Sequence, residues 1–173
     1  VTDFEDEGTE LYGEFASRLS LSKISGRKIG VGPLADVLLA GQLEFGDNLR
    51  TYLYGIGTSW TIPGFAFFNL DFYVRDEQGR DGDPTWQITP SWLVPFGVGP
   101  VKASFGGFID FAGSQGDREE SIIGAPQLLV DVGNFLGAPD RLHAGIEYQF
   151  WRNKFGIDGV DEDVVQLMVK WVL

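Results

Sequence analysis

Residues 164–173, VVQLMVKWVL, alternate with a period of two. Val165, Leu167, Val169, Trp171 and Leu173 form a wholly apolar set, while Gln166, Met168, Lys170 and Val172 are mixed and carry the polar groups. Successive side chains of a β-strand point to opposite faces, so this is the pattern of a strand with one apolar and one wetter face. The alternation recurs along the chain between Gly, Pro, Asp and Asn punctuation. It predicts about nine strands, near 9–21, 36–45, 50–60, 65–75, 85–96, 101–111, 125–136, 141–151 and 164–173. No segment reads convincingly as a helix. The best helical candidate, 33–44 (PLADVLLAGQLE), is weakened by Gly41 and by the strand-like QLEFG that follows. Such a chain folds as a soluble sandwich or barrel, or as a membrane barrel whose apolar face meets lipid.

The connections separate these readings. From the C-terminus backward they are WRNKFGIDGVDED, GAPD, AGSQGDREESIIG, GVGP, RDEQGRDGDP and TIPG, so long acidic loops alternate with tight turns. Outer-membrane barrels sort their connections this way, with long extracellular loops and short periplasmic turns. The two connections nearest the N-terminus, GDN and SKISGRKIGVGPLAD, break the alternation.

Face composition points the same way. In TWQITPSWLVPF the apolar face is Trp86, Ile88, Pro90, Trp92, Val94 and Phe96, and the second face is Gln87, Thr89, Ser91 and Leu93. In FAFFNLDFYVR the apolar face carries Phe68, Leu70, Phe72 and Val74, and the second face Phe67, Asn69, Asp71, Tyr73 and Arg75. A soluble sandwich would crowd Lys and Glu onto its polar face. Here Tyr, Phe, Gln, Asn, Ser and Thr mix with isolated charges, which suits a confined, wet interior. Aromatics on the apolar face sit near strand ends (Trp60, Trp86, Phe96, Phe111 and Trp171), where interfacial girdles form.

Composition sets outer bounds. The chain has 173 residues, enough for one domain. A net charge of −12 argues against nucleic acid or an anionic membrane surface as partner. There is no cysteine, hence no disulfide and no thiolate metal site. No apolar run is long enough for a transmembrane helix. GRDGD (79–83) and DGVDED (158–163) lack EF-hand spacing and read as solvated loops, and the lone His143 reads as structural. No hydrolase, metalloprotease or phosphate-loop motif occurs, so no catalytic activity is expected.

The stretches VTDFEDEGTELYGEF, RLSLSKISG, TWQITP and LHAGIEYQFWRNKFGIDGVDEDVVQLMVKWVL resemble the Tsx-like family of nucleoside-specific outer-membrane channels, most specifically in EYQFWRNKFGIDG. The resemblance implies an antiparallel up-and-down barrel of about twelve strands in the Gram-negative outer membrane. It also implies passive nucleoside uptake through a lumen lined by aromatic and ionisable residues. The last strand must end at the periplasm, so counting back through nine strands leaves residue 1 outside. Bacterial barrels have even strand numbers. The expectation is therefore a single barrel domain, residues 1–173, whose N-terminal strands, three on the family pattern, are missing.

A nucleoside has a flat base and a hydroxyl-rich sugar, so its path needs rings for stacking and carboxylates or amides for the ribose. The candidate stackers are Tyr12, Phe67, Tyr73 and Phe108. The candidate polar partners are Glu14, Arg18, Asn69, Asp71, Asp110, Asp131, Glu147 and Lys170. For any one of them, simple filling of a barrel interior is the competing reading. No cofactor and no metal are expected. The expected partners are nucleosides as solutes and outer-membrane lipids around a monomer. Two alternatives stay open: a soluble lipocalin-like barrel that holds an apolar ligand among Phe72, Trp86 and Trp92, and a general diffusion porin.

Overall fold

The structure is a computed structural model and describes residues 12–46 and 50–172, with Tyr12 described by its backbone alone. The expected strand start at 9–11, the GDN turn at Asp47 and Asn48, and the terminal Leu173 lie outside the described residues. Among the described residues ten strands follow in order: β1 (Tyr12–Ser20), β2 (Leu34–Gly46), β3 (Arg50–Trp60), β4 (Phe67–Glu77), β5 (Thr85–Val98), β6 (Val101–Ala112), β7 (Ser121–Gly124), β8 (Gln127–Asp131), β9 (Leu142–Arg152) and β10 (Glu162–Trp171). They form one antiparallel sheet in which, β7 and β8 apart, each strand pairs with its chain neighbours. β7 and β8 share one position, both lying between β6 and β9. The all-β, up-and-down order expected from the alternation is thus observed, with β1 and β10 at the ends of the strand order.

Three details differ from the sequence expectation. The seventh segment, expected at 125–136, occupies 121–131 and is broken at Ala125–Pro126. Proline has no N–H for a ladder bond. The break is held instead by Ala125 N–H donating to Phe108 O (3.1 Å) and Tyr148 N–H donating to Pro126 O (2.9 Å). Gly107 makes room for it: its φ is +146°, and a Cβ there would lie 2.6 Å from Ala125 O. The tight turn expected at GAPD is the end of a longer connection, 132–141, because β8 stops at Asp131. Asp131 accepts from the backbone N–H of Asn134 and of Asp140, each at 3.0 Å, and so folds that connection onto the strand end. A five-residue helix, α1 (Leu21–Ser25), stands where none was expected. Its first turn is capped by Ser20 Oγ, which accepts from Lys23 N–H, and it ends at Gly26 in the left-handed conformation. The strand expected at 36–45 is observed as β2, so the weakened helical candidate at 33–44 is set aside as the sequence suggested.

Burial is inverted relative to a water-soluble fold. The polar residues Asp71, Gln87 and Asp131 are 6%, 3% and 2% exposed, whereas Phe15, Ile56 and Leu167 are 67%, 52% and 92% exposed. The strand alternation puts these sets on opposite faces. Phe72, Val74, Trp86, Val169 and Trp171 lie on the exposed apolar face with them. A soluble barrel with an apolar cavity would bury Phe72 and Trp86, so that alternative is corrected by the placement. The apolar face is edged by aromatics at both strand ends: Trp86 and Phe111 at one end, Trp60, Phe96 and Trp171 at the other. Trp60 Nε1 donates to Thr58 Oγ1 (2.9 Å), and Thr58 Oγ1 donates to Leu70 O (2.9 Å), so these two polar groups on the apolar face are paired.

The connections sort by end. Residues 78–84, 113–120 and 153–161 lie at one end and carry Asp81, Asp83, Asp117, Glu119, Glu120, Asp158 and Asp161. The opposite end has 21–33, 61–66, 99–100 and 132–141, whose only acid is Asp140.

Candidate functional site: the polar inner face

The polar face is curled on itself. Arg18 on β1 and Asp71 on β4 are three strand positions apart, roughly 14 Å across a flat sheet at the usual strand spacing. Yet Arg18 Nη2 donates to Asp71 Oδ1 at 2.9 Å. Only a sheet wrapped towards this face brings the two heads together, which is the curvature of a barrel wall. Gly57 on β3 lies beneath the pair: a Cβ there would stand 2.4 Å from Asp71 Oδ1 and 3.2 Å from Arg18 Nη2.

Around this bridge the strand register stacks further rows. Asp71 lies opposite Thr89 on β5, and Thr89 Oγ1 is 2.5 Å from Asp110 Oδ1 on β6. Tyr73 OH donates to Asp71 Oδ2 at 3.3 Å, and its ring packs with Ala40 and Leu53 in the small buried apolar cluster. One row on, Arg75 Nη1 reaches both oxygens of Glu44 at 3.2 Å and Gln87 Oε1 at 3.0 Å. Gln87 Nε2 in turn donates to Thr89 Oγ1 at 3.2 Å. On the other side Ser59 Oγ donates to Asn69 Oδ1 at 2.8 Å, and the adjacent Ser91 lies opposite Phe108. Charges are buried here with partners and hydrogen bonds rather than alone, as a low-dielectric interior requires.

Of the residues singled out from sequence, Arg18, Asn69, Asp71, Tyr73, Phe108 and Asp110 fall in this patch, spread over β1, β4 and β6. Glu14 lies on the same face of β1, opposite Glu44. Phe67 sits at the start of β4, opposite Leu93, away from the Arg18–Asp71 bridge. Glu147 is on β9 in a separate group, where Gln127 Nε2 donates to Glu147 Oε2 at 2.6 Å. Lys170 lies on β10 opposite His143 and is exposed. Asp131 is committed to the 132–141 backbone. For Tyr12 only the backbone pairing with Gly46 is described. Parity placed Arg75, Gln87 and Thr89 on the second face, but they were not singled out as site residues. Glu44, within the expected strand 36–45, and Gly57 were not singled out either, because their roles rest on contacts from other strands, with Arg75 and with Asp71.

At the end with the acidic loops, Glu77 closes β4 and gathers two loops. It is bridged by Arg80 (Nη2 to Oε1, 2.7 Å) and by Arg118, and its backbone N–H donates to Gln115 Oε1 at 3.1 Å. Arg80 also pairs with Asp117 (2.6 Å). The third loop joins through Glu119 N–H to Gly156 O (2.9 Å) and Asn153 Nδ2 to Glu120 O (2.9 Å). The Arg80 guanidinium beside Asp117 holds that carboxyl below the ordinary carboxylate range.

No family model matches the chain. Among proteins of known name, it is similar to the outer membrane protein OmpK of Vibrio parahaemolyticus, 22% identical over 160 residues, covering 88% of this chain and 59% of that protein. A second OmpK, from Vibrio parahaemolyticus serotype O3:K6 (strain RIMD 2210633), is 21% identical over 172 residues, 90% of this chain and 64% of its own length. The chain thus spans about three fifths of the length of the curated relatives it matches. These similarities extend over most of the chain, and the structure independently buries its polar face and exposes its apolar one. The chain is an outer-membrane protein of the β-barrel kind. No described helix is long and apolar enough to cross a membrane, and the strands carry the apolar surface.

Proposed function

We propose that this chain supplies the wall of a passive outer-membrane channel that takes up small polar solutes and favours nucleosides. The observation that carries the channel reading is the wrapped inner face, where Arg18 pairs with Asp71, Arg75 with Glu44, and Asp110 with the Thr89 hydroxyl, all across strands. A wall of this kind lines a wet passage. The preference for nucleosides is supported by the mixture on that face: carboxylates and the Asn69 amide suit ribose hydroxyls, and the Phe108 and Phe67 rings suit a base. Stacking on one ring is worth about 1–3 kcal/mol, weak enough for the solute to leave. The resemblance of EYQFWRNKFGIDG to the nucleoside channels supports the same class. In this reading the protein works as a monomer without a cofactor and catalyses nothing.

A general diffusion porin is the second reading. It is favoured by Tyr73, whose ring is packed against Ala40 and Leu53 and is thereby withdrawn from solutes. Liposome swelling with the full-length protein separates the two. Nucleosides should enter faster than sugars and amino acids of similar size. If entry rates follow size alone, the nucleoside preference is wrong and the general porin stands.

A further inference from the structure

The net charge of the chain conceals a local reversal. Residues 20–33, SLSKISGRKIGVGP, contain Lys23, Arg27 and Lys28 and no acid, although the whole chain has only 13 cations against 25 carboxylates. This segment is the connection from β1 to β2, at the end away from the acidic loops. Its cations are exposed and make no ion pair with any described residue.

The nearest carboxylate does not neutralise them. Asp36, on β2, accepts from the hydroxyls of Ser20 and Ser22, from Ser22 N–H at 3.2 Å and from Val37 N–H at 2.9 Å. Its oxygens are used in shaping the segment. Ser22 Oγ also accepts from Ile29 N–H at 3.1 Å, which folds the far part of the loop back onto α1. Lys23, Arg27 and Lys28 are left around an open cleft that Ser20, Ser22, Gly26, Ala35 and Asp36 also line.

The same segment exposes Ile24 (65%) and Val31 (77%) beside these cations. It continues, through Leu19 and Leu39, into the exposed apolar face of the sheet. Apolar side chains bordering a band of lipid-facing residues, with three cations of one loop at its edge, match the boundary between acyl chains and phosphate headgroups. A free soluble anion would need only the cations and would have no use for Ile24 and Val31.

We propose that the 20–33 segment is a binding site for the phosphate headgroup of an anionic phospholipid, with Lys23, Arg27 and Lys28 as its ligands and Ile24 and Val31 against the acyl region. The site is independent of which solute the channel passes.

The test uses the full-length protein reconstituted in vesicles, in a background in which any cysteine outside these 173 residues is replaced by Ser, with a fluorophore on Ser25→Cys; these residues contain no other cysteine. Quenching by headgroup-labelled phosphatidylglycerol is compared with quenching by labelled phosphatidylcholine at equal mole fraction. Phosphatidylglycerol should be enriched at the label several-fold. Each cation near an anionic headgroup is worth about a fivefold preference at low salt. The triple variant Lys23→Gln/Arg27→Gln/Lys28→Gln should lose the enrichment while keeping its resistance to unfolding in unheated gel electrophoresis. A control with Lys102→Gln and Lys170→Gln should retain it. Equal quenching by the two lipids would overturn the proposal. So would enrichment that survives the triple variant. Loss of the enrichment in millimolar inorganic phosphate, at constant ionic strength, would reassign the site to a free anion and overturn the lipid as its ligand.

Discussion

Arg18 Nη2 and Asp71 Oδ1, from the first and fourth strands, meet at 2.9 Å over a glycine on the strand between β2 and β4. The pair is what shows that the sheet is wrapped, and it fixes how tightly. Removing one partner strands the other in a partly buried, poorly hydrated site, which costs more than the pair contributes. Asp71→Ala should destabilise the protein by about 2 kcal/mol, less than a fully buried pair because the Arg18 head is partly exposed. Arg18→Ala should cost less, and the double variant should fall short of the sum by about 1 kcal/mol or more. Urea unfolding of the lipid-reconstituted protein measures this, and strict additivity would mean that the two heads do not interact.

Gly57 tests the same contact sterically. An added methyl group would overlap Asp71 Oδ1 at 2.4 Å. Gly57→Ala should therefore destabilise the wild-type protein by about 1–3 kcal/mol. In the Asp71→Ala background most of that cost should vanish, since the overlapping atom is gone.

Face assignment gives a prediction with opposite outcomes on neighbouring strands. Phe72, at the middle of β4, lies on the exposed apolar face, and Ser91 on β5 lies on the inner one. A charge facing lipid at mid-depth costs about 2–4 kcal/mol. Phe72→Arg should lower stability in vesicles by that amount. Ser91→Arg should cost under about 1 kcal/mol and should instead alter conductance. Equal costs would remove the distinction between the faces.

Much of this was legible in the alternation, and the exceptions have local causes. Phe72 and Trp86 were placed correctly by parity alone, because a strand cannot put neighbours on the same face. The conversion of one expected strand into β7 and β8 turns on Pro126, whose missing N–H is visible in sequence, and on Gly107, whose positive φ is not. Asp131 reads as a lumen carboxylate by parity, yet its oxygens are consumed by Asn134 and Asp140, residues beyond the strand end that no period announces. Glu44 lies inside the expected strand 36–45, yet nothing in its own segment marks it: its role comes from Arg75, two strands away. The Arg18–Asp71 contact was out of reach for a different reason: it depends on curvature, which sums over four strands and leaves no mark at either residue.

The loops at the acidic end are joined through Glu77, which holds Arg80 and Arg118 together. Glu77→Gln removes the charge that both guanidiniums share. Trypsin should then cut after Arg118 several times faster, because the 113–120 loop opens locally more often. The outer link, Arg80 to Asp117, should respond to pH. The Asp117 carboxyl is held below its ordinary range by the Arg80 hydrogen bond. A depressed folded-state value means that the link contributes above the unfolded carboxylate value and is lost as pH falls through the folded one. An acid-active protease should therefore cut this loop at a rate that rises only below about pH 4. In Asp117→Asn the rate should be high throughout and flat with pH.

The channel reading ends in a contrast between two rings. Phe108 lies on the inner face of β6 opposite Ser91, whereas the Tyr73 ring is packed with Ala40 and Leu53 and its hydroxyl is bonded to Asp71. If nucleosides stack in transit, Phe108→Ala should slow their flux at low concentration by roughly five- to tenfold, the equivalent of about 1–1.4 kcal/mol of lost stacking. Small-ion conductance should hold or rise, because the passage widens. Tyr73→Phe keeps the ring packing and removes only the bond to Asp71, so its effect should fall on discrimination between ribosides and deoxyribosides, through a less firmly held carboxylate, and not on total flux. Asp71→Asn should act in the same direction and more strongly. Radiolabelled uptake into proteoliposomes containing the full-length protein reads all three. Unchanged nucleoside flux in Phe108→Ala, with unchanged riboside preference in the other two, would leave a passage that sorts solutes by size.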